Sequence, residues 1–278
     1  MIMDISVTKA NGLTEAYKTE KVRASMTRAG VPEEFQPRLL SKIEGELYDK
    51  ISTAKILDII IGSLKQIYPQ GQTRYQLKRA IMEMGPSGFP FEKFVARLLH
   101  EYGYSVTTDV VLWGECVSHE VDVLATKDIR EYFVECKYHN QPGSRSDVKT
   151  ALYVKSRGDD LAAKMRQDPK NAGTQYGPWV FTNTKFSSDA ITYAECKNIR
   201  LTGWSYPQKG NLQEMVETKH LYPITCLTSL THDEKMKLLD RNIVLISELY
   251  KDTALIDSFN LTEEQRDALE YEHKYLSD

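Results

Sequence analysis

The chain has 278 residues, with apolar side chains at 41% and charged ones at 27%, which suits a packed core and gives room for two domains or for one plus a helical extension. Lys and Arg number 36 against 39 Asp and Glu, a net charge of −3, which argues against a protein that coats DNA non-specifically but leaves room for a local basic groove. No apolar run approaches the roughly 18 residues of a membrane span: the longest, Ile56 to Ile61, is broken by Asp58. The opening MIMDISVTKANG has an acidic residue and no long apolar region, so no secretory signal is expected. Cys116, Cys136, Cys196 and Cys226 are spaced like no zinc or iron–sulfur pattern, so the expectation is reduced, mostly buried thiols in a cytoplasmic chain.

In chain order, Ile5 to Lys9 reads as a short strand closed by the turn pair Asn11-Gly12. Thr19 is placed to cap a helix with Val22, Met26 and Ala29 along one side and Gly30 at its end. Pro32 opens a second helix with Phe35, Leu39, Ile43 and Leu47 inward. Ser52 caps a third, with Ile56, Ile60, Leu64 and Ile67 inward, and a fourth runs from about Arg74 to Met84. Gly85-Pro86-Ser87-Gly88 punctuates the chain and sets the expected boundary of a small, mainly helical domain over 1–86.

A helix follows with Phe91, Phe94, Val95, Leu98 and Leu99 as its apolar stripe and Glu92 at the border. Gly103 ends it, Tyr104 to Leu112 opens a sheet, and a hairpin comes next. Val148 to about Met165 is helical, with Leu152, Val154 and Leu161 as core positions. Trp179 to Thr182 is a strand, Ser188 to Cys196 a helix, and Ile199 to Leu201 a last strand. That order predicts an α/β domain with a mixed sheet over 87–210. Residues 211–278 read as a helical extension, with Leu238, Leu239, Ile243, Leu245, Ile246 and Leu249 apolar and Leu261 opening an end helix. No internal repeat is present.

The chemistry concentrates in the hairpin, HEVDVLATKDIREYFVECK. Strand alternation puts Glu135 and Lys137 on one face and Val134 and Cys136 on the other, and likewise groups Glu120 with Asp122. Carboxylates at a strand edge suit Mg²⁺, a hard cation that takes oxygen ligands. A lysine beside them can offset charge on a phosphoryl oxygen. The plain alternative is an ordinary polar strand face. It is disfavoured because these segments are otherwise rich in Val, Leu, Phe and Cys, where an unpaired buried carboxylate is costly. A second Glu-Cys-Lys, Glu195-Cys196-Lys197, ends a helix and reads as surface. Lys185 and Arg157 are candidates for phosphate contact, though scattered bases of this kind are more often solvated side chains.

Residues 88–205 resemble the PD-(D/E)xK nuclease superfamily, in particular its Mrr-type restriction endonuclease branch. The pieces are a helix bearing Glu92, a strand bearing Asp122, and Glu135-Cys136-Lys137 within FVECKYHN. The resemblance implies a restriction-endonuclease-like fold, with Asp122 and Glu135 as metal ligands. It implies that Glu92 serves the metal shell or a second metal, and that Lys137 positions water or stabilises the transition state. Mrr-type chains place glycines before the aspartate, whereas here His119 and Glu120 precede Val121, which adds them as accessory groups.

The first segment, about 3–84, resembles an ATP-cone, the small regulatory nucleotide-binding domain of ribonucleotide reductases. Its pieces here are VTKANG with Lys9, Asn11 and Gly12, then Tyr17, Lys21 and Arg28. Ala10 stands where the family has arginine, and Tyr17 where it has phenylalanine. The resemblance implies ATP or dATP as a regulatory ligand, with Val7 and Lys9 at the adenine and phosphates and Lys21 at the phosphates. The alternative is a helical module that only docks. No P-loop is present.

The expectation is therefore a Mg²⁺- or Mn²⁺-dependent endonuclease acting on DNA, regulated by adenine nucleotide, with no membrane partner. A homo-oligomer is compatible with the sequence. The rivals are a catalytically inactive DNA- or nucleotide-binding module and an interaction platform built on the helical C-terminus.

Overall fold

The structure, a computed structural model, describes residues 5–10, 12–68, 70–141, 143–249 and 256–277. The chain packs as two units, each discontinuous in sequence. One comprises Met1–Arg79, Cys226–Leu230 and Leu261–Asp278; the other comprises Ala80–Thr225 and Thr231–Asn260.

In the first unit, β1 (Ser6–Thr8) pairs antiparallel with β2 (Thr14–Ala16) and parallel with β3 (Ile51–Ser52). Around this ribbon pack α1 (Thr19–Arg28), α2 (Gln36–Gly45), α3 (Thr53–Ile67) and α4 (Gln70–Tyr75). Val7, Met26, Leu39, Ile43, Ile51, Ile60 and Leu64 form the core. The Ser52 hydroxyl accepts the Lys55 amide at 3.1 Å, so the expected cap of α3 is present. Other expectations are corrected. Thr19 does not cap α1: the N-cap is Lys18, and the Thr19 hydroxyl instead donates to Glu44 Oε1 at 2.6 Å. The second helix starts at Gln36 rather than Pro32, with its proline, Pro37, in the first turn. The expected helix over 74–84 is split into α4 and α5 (Leu77–Met82). β2 was not expected at all. The helix Glu263–Ser277 belongs to this unit, where the Glu272 carboxylate accepts the backbone amides of Thr228 and Ser229 at 2.8 and 3.2 Å.

The second unit holds a five-stranded mixed sheet. β4 (Ser105–Trp113), β5 (Ser118–Lys127) and β6 (Arg130–Lys137) run antiparallel. β6 then pairs parallel with β8 (Gln175–Thr182), and β8 with β10 (Arg200–Thr202). A two-stranded parallel ribbon joins β7 (Arg145–Ser146) and β9 (Lys185–Phe186). α6 (Phe89–Glu101) buries Phe91, Phe94, Val95, Leu98 and Leu99, the stripe that its 3.6-residue spacing predicts. α7 (Val148–Met165) and α8 (Ser188–Cys196) have the expected bounds. Leu152 does not join the core; it is 44% exposed. The buried stripe of α7 is Ala151, Val154, Arg157, Gly158, Leu161 and Ala162, and Leu152 lies off it. Of the C-terminal apolar positions, Leu238, Leu239, Leu245, Ile246 and Leu249 are buried and Ile243 partly so. Cys136 and Cys226 are buried, Cys116 and Cys196 are exposed, and all four are free thiols. Two of the four thiols are thus buried, where most were expected to be. Among the described residues no helix is long and apolar enough to cross a membrane.

Candidate active site

β5 and β6 pair from Lys127↔Arg130 up to Val123↔Val134 and then part. Beyond that point β5 follows β4 to Ser118, while β6 follows β8 to Lys137. The backbone groups freed at this fork need partners. Asp122 supplies one, its Oδ2 accepting the Cys136 amide at 2.7 Å. Arg157 of α7 supplies another: its Nη1 donates to the Glu120 carbonyl at 2.9 Å and its Nη2 to Glu135 Oε2. The remaining Glu135 oxygen, Oε1, meets Lys137 Nζ at 2.5 Å, as their shared strand face requires. Glu135 and Arg157 are both buried.

Two carboxylates stand differently. Asp122 is pushed up to about 6, first by burial and then by the charge of Glu135, against the Cys136 amide, Arg157 and Lys137. Glu92, in the first turn of α6, is pushed up to about 7 by burial, then by the charges of Asp122 and Asp109. Among the described residues neither is in an ion pair. Asp109 itself is taken by Lys93, which also donates to Thr108 Oγ1 at 2.8 Å. Burial pulls the Lys137 ammonium down, but the hydrogen bond and charge of Glu135 outweigh it and its pKa rises.

Hard oxygen donors with unbalanced charge suit a divalent cation. Among the described residues no group of three or more His, Cys, Asp or Glu is gathered as a ready metal cage. Mg²⁺ does not need one, since it commonly keeps its waters and takes one or two carboxylates plus substrate phosphate oxygens. Asp122 and Glu92 fit that mode. Glu135 enters it only through Oε1, by exchange with Lys137.

The end of β6 is held by residues the sequence reading did not single out. The Thr182 hydroxyl donates to the Lys137 carbonyl at 2.8 Å. The Asn183 side chain accepts the His139 amide at 2.9 Å and donates to its carbonyl at 2.7 Å. Arg157 is buried, not the solvated base expected of a scattered arginine. Its signal was in the sequence: Val154, Arg157 and Leu161 recur at three- and four-residue spacing on one helix stripe.

His119 and Glu120 stand differently in the structure. His119 Nε2 lies 2.7 Å from Asp160 Oδ2, while Asp160 also accepts the Cys116 amide at 2.8 Å. This clamps the β4–β5 turn onto α7 and holds the Asp160 carboxyl down at about 2, chiefly through the His119 bond. A Cβ at Gly114 would fall 2.0 Å from Asp160 Oδ2, so only glycine fits the clamp. The Glu120 side chain is exposed; its carbonyl accepts Arg157 at the fork, and its charge adds to those that raise Glu92. Glu195 and Lys197 lie exposed at the end of α8, where the Glu195 carboxylate accepts the Tyr206 hydroxyl at 3.1 Å.

In the first unit, Lys9 and Lys21 both bind Glu15, at 2.7 and 2.8 Å. The hydrogen bond from Lys21, then that from Lys9, lowers Glu15 to about 2. Gly12 has φ +80° in the turn, its amide donating to the Lys9 carbonyl at 2.9 Å. Val7 is buried in the core, and Asn11 lies outside the described residues. Lys9, Gly12 and Lys21 are therefore brought together, but around a carboxylate of the chain itself.

A family profile described as a restriction endonuclease matches residues 83–204. A second, described as AF1548-like, C-terminal, matches residues 222–276. An uncharacterized protein of Archaeoglobus fulgidus is 46% identical over 133 residues, covering 48% of this chain and 71% of that protein. The crystal structure of AF1548, a protein of unknown function, superposes with a TM-score of 0.55 at 33% identity, covering 68% of this chain and 98% of that one.

Proposed function

Because the chain belongs to the AF1548-like family and carries a restriction-endonuclease-like domain, we propose that it is a divalent-cation-dependent endonuclease that hydrolyses phosphodiester bonds in DNA. The observation that carries this is the pair of unbalanced carboxylates, Asp122 and Glu92, where the sheet forks, with the Lys137 charge acting on Asp122. Asp122, Glu92 and the Glu135 oxygen that faces Lys137 would hold Mg²⁺ or Mn²⁺. A bound divalent cation supplies Lewis-acid stabilisation of charge on phosphoryl oxygens. Asp122 is oriented for its role by the Cys136 amide. Lys137 keeps its ammonium charged and, once released from Glu135, offsets the negative charge that grows on the phosphoryl group. Thr182 and Asn183 hold the strand end that carries it.

In this proposal residues 87–210 are the nuclease domain of a cytoplasmic enzyme and 211–278 a helical extension, of which Cys226–Leu230 and Leu261–Asp278 pack with the N-terminal unit. Residues 1–86 are an ATP-cone-like domain that takes ATP or dATP at Lys9, Gly12 and Lys21 once Glu15 gives way. The test is incubation of supercoiled and linear plasmid with and without Mg²⁺ or Mn²⁺. Cation-dependent cleavage by the wild type and none by D122A is the expected result. A wild type inert with both cations would leave a catalytically silent DNA- or nucleotide-binding protein.

A further inference from the structure

Arg157 is the charged member of the buried stripe of α7, 5% exposed. A buried guanidinium is costly unless it is paired and hydrogen-bonded. Here the pairing is divided between the two strands of the fork: Nη2 holds Glu135 Oε2 on β6, and Nη1 holds the Glu120 carbonyl on β5. The backbone ladder between those strands has already stopped, at Val123↔Val134. One planar group therefore spans the gap that Asp122 borders. The Tyr153 ring lies 5.2 Å from the guanidinium carbon, and Nε has no partner, so the two Nη groups carry the polar contacts.

We infer that Arg157 is the fixed counter-charge and positioning residue of this site: it takes one Glu135 oxygen out of the donor set and ties the β5 strand to it, so that a cation meets Asp122, Glu92 and a single Glu135 oxygen. The inference rests on the reading of the fork as a divalent-cation site. It has a consequence that plain structural support lacks. Removing the charge frees a second Glu135 oxygen and adds net negative charge, so cation affinity rises while the orientation needed for cleavage is lost. A residue that only supports the fold would lower affinity and rate together. Lysine keeps the charge but, as a point donor, cannot reproduce the planar two-way contact.

The experiment uses the full chain, with Mn²⁺ titrated by calorimetry, plasmid cleavage at saturating Mn²⁺, and circular dichroism to verify folding. R157M is expected to bind Mn²⁺ about tenfold more tightly and to cleave about 100-fold more slowly. R157K is expected to keep Mn²⁺ affinity within about twofold and to cleave about tenfold more slowly. Weaker Mn²⁺ binding by R157M, or wild-type cleavage by either variant, overturns the inference. If R157M alone fails to fold, the R157K rate decides; if neither folds, Arg157 is a structural residue and the inference falls. A wild type that takes up Mn²⁺ but does not cleave sinks the nuclease proposal, and the affinity of R157M then decides on Arg157 alone. A wild type that takes up no Mn²⁺ overturns both.

Discussion

Glu15 in the N-terminal unit and the pair Glu92–Asp122 in the second unit are carboxylates in opposite situations. Glu15 sits between Lys9 and Lys21 and is held down at about 2. Glu92 and Asp122 are part-buried; burial raises both, the charge of Asp122 adds to Glu92 and that of Glu135 to Asp122, and they reach about 7 and about 6. A carboxylate already neutralised by two lysines has no need of a cation, and those lysines meet a phosphate only when they leave it. Carboxylates that repel one another in a low-dielectric setting store unfavourable energy that a bound cation relieves. The same residue type thus marks a closed ion network in one region and an open one in the other.

The harshest test of that contrast is at Asp122. D122N keeps a hydrogen-bond acceptor for Cys136 but loses the charge. Cleavage is expected to fall about 10³-fold, with much weaker Mn²⁺ uptake in calorimetry, while the metal-free melting temperature at pH 8 holds or rises. A marked loss of metal-free stability would mean that Asp122 is not a strained charge. Next is Lys137, a non-ligand: K137A is expected to slow cleavage about 100-fold with Mn²⁺ affinity retained or improved. K197A, at the end of α8, should cleave like the wild type; if it is the inactive variant, the wrong Glu-Cys-Lys has been chosen.

A smaller effect, of opposite sign in the two regions, is expected with pH. The folded-state pKa of Glu92 is raised from 4.5 to about 7, so the metal-free native state binds more protons than the unfolded chain, and this group's contribution declines as pH climbs through that window. E92Q should therefore stabilise the metal-free protein at pH 8, by on the order of 1 kcal/mol after discounting for solvent screening. Glu15 is lowered from 4.5 to about 2, so its contribution is complete above 4.5 and lost as pH falls through about 2. Thermal melts of the wild type, E92Q and E15Q from pH 3 to pH 8 check both signs. E92Q melting below the wild type at pH 8 would break the contrast. The smallest expected change in stability is that of E15Q near neutral pH, because exposed ion pairs contribute little. Its effect should appear in binding instead: with Lys9 and Lys21 released, ATP or dATP should bind more tightly by calorimetry. No heat from either protein at millimolar nucleotide would reduce the N-terminal unit to a docking module.

Local patterns in the sequence were enough to locate the apolar stripe of α6, the bounds of α7 and α8, the Ser52 cap, and a hairpin bearing Asp122, Glu135 and Lys137. Each depends on periodicity or on groups a few residues apart, and strand alternation alone put Glu135 and Lys137 side by side. What the tertiary structure decided are pairings between distant segments. Arg157 reaches Glu135 and Glu120 only because α7 packs over the forked sheet, and Glu15 takes both lysines only because an unexpected β2 folds back along β1. Asp160 claims His119 across the β4–β5 turn, and Glu272 claims Thr228 and Ser229 from the end helix. Charge partners of this kind are fixed by through-space distance and desolvation, and no local period along the chain encodes them.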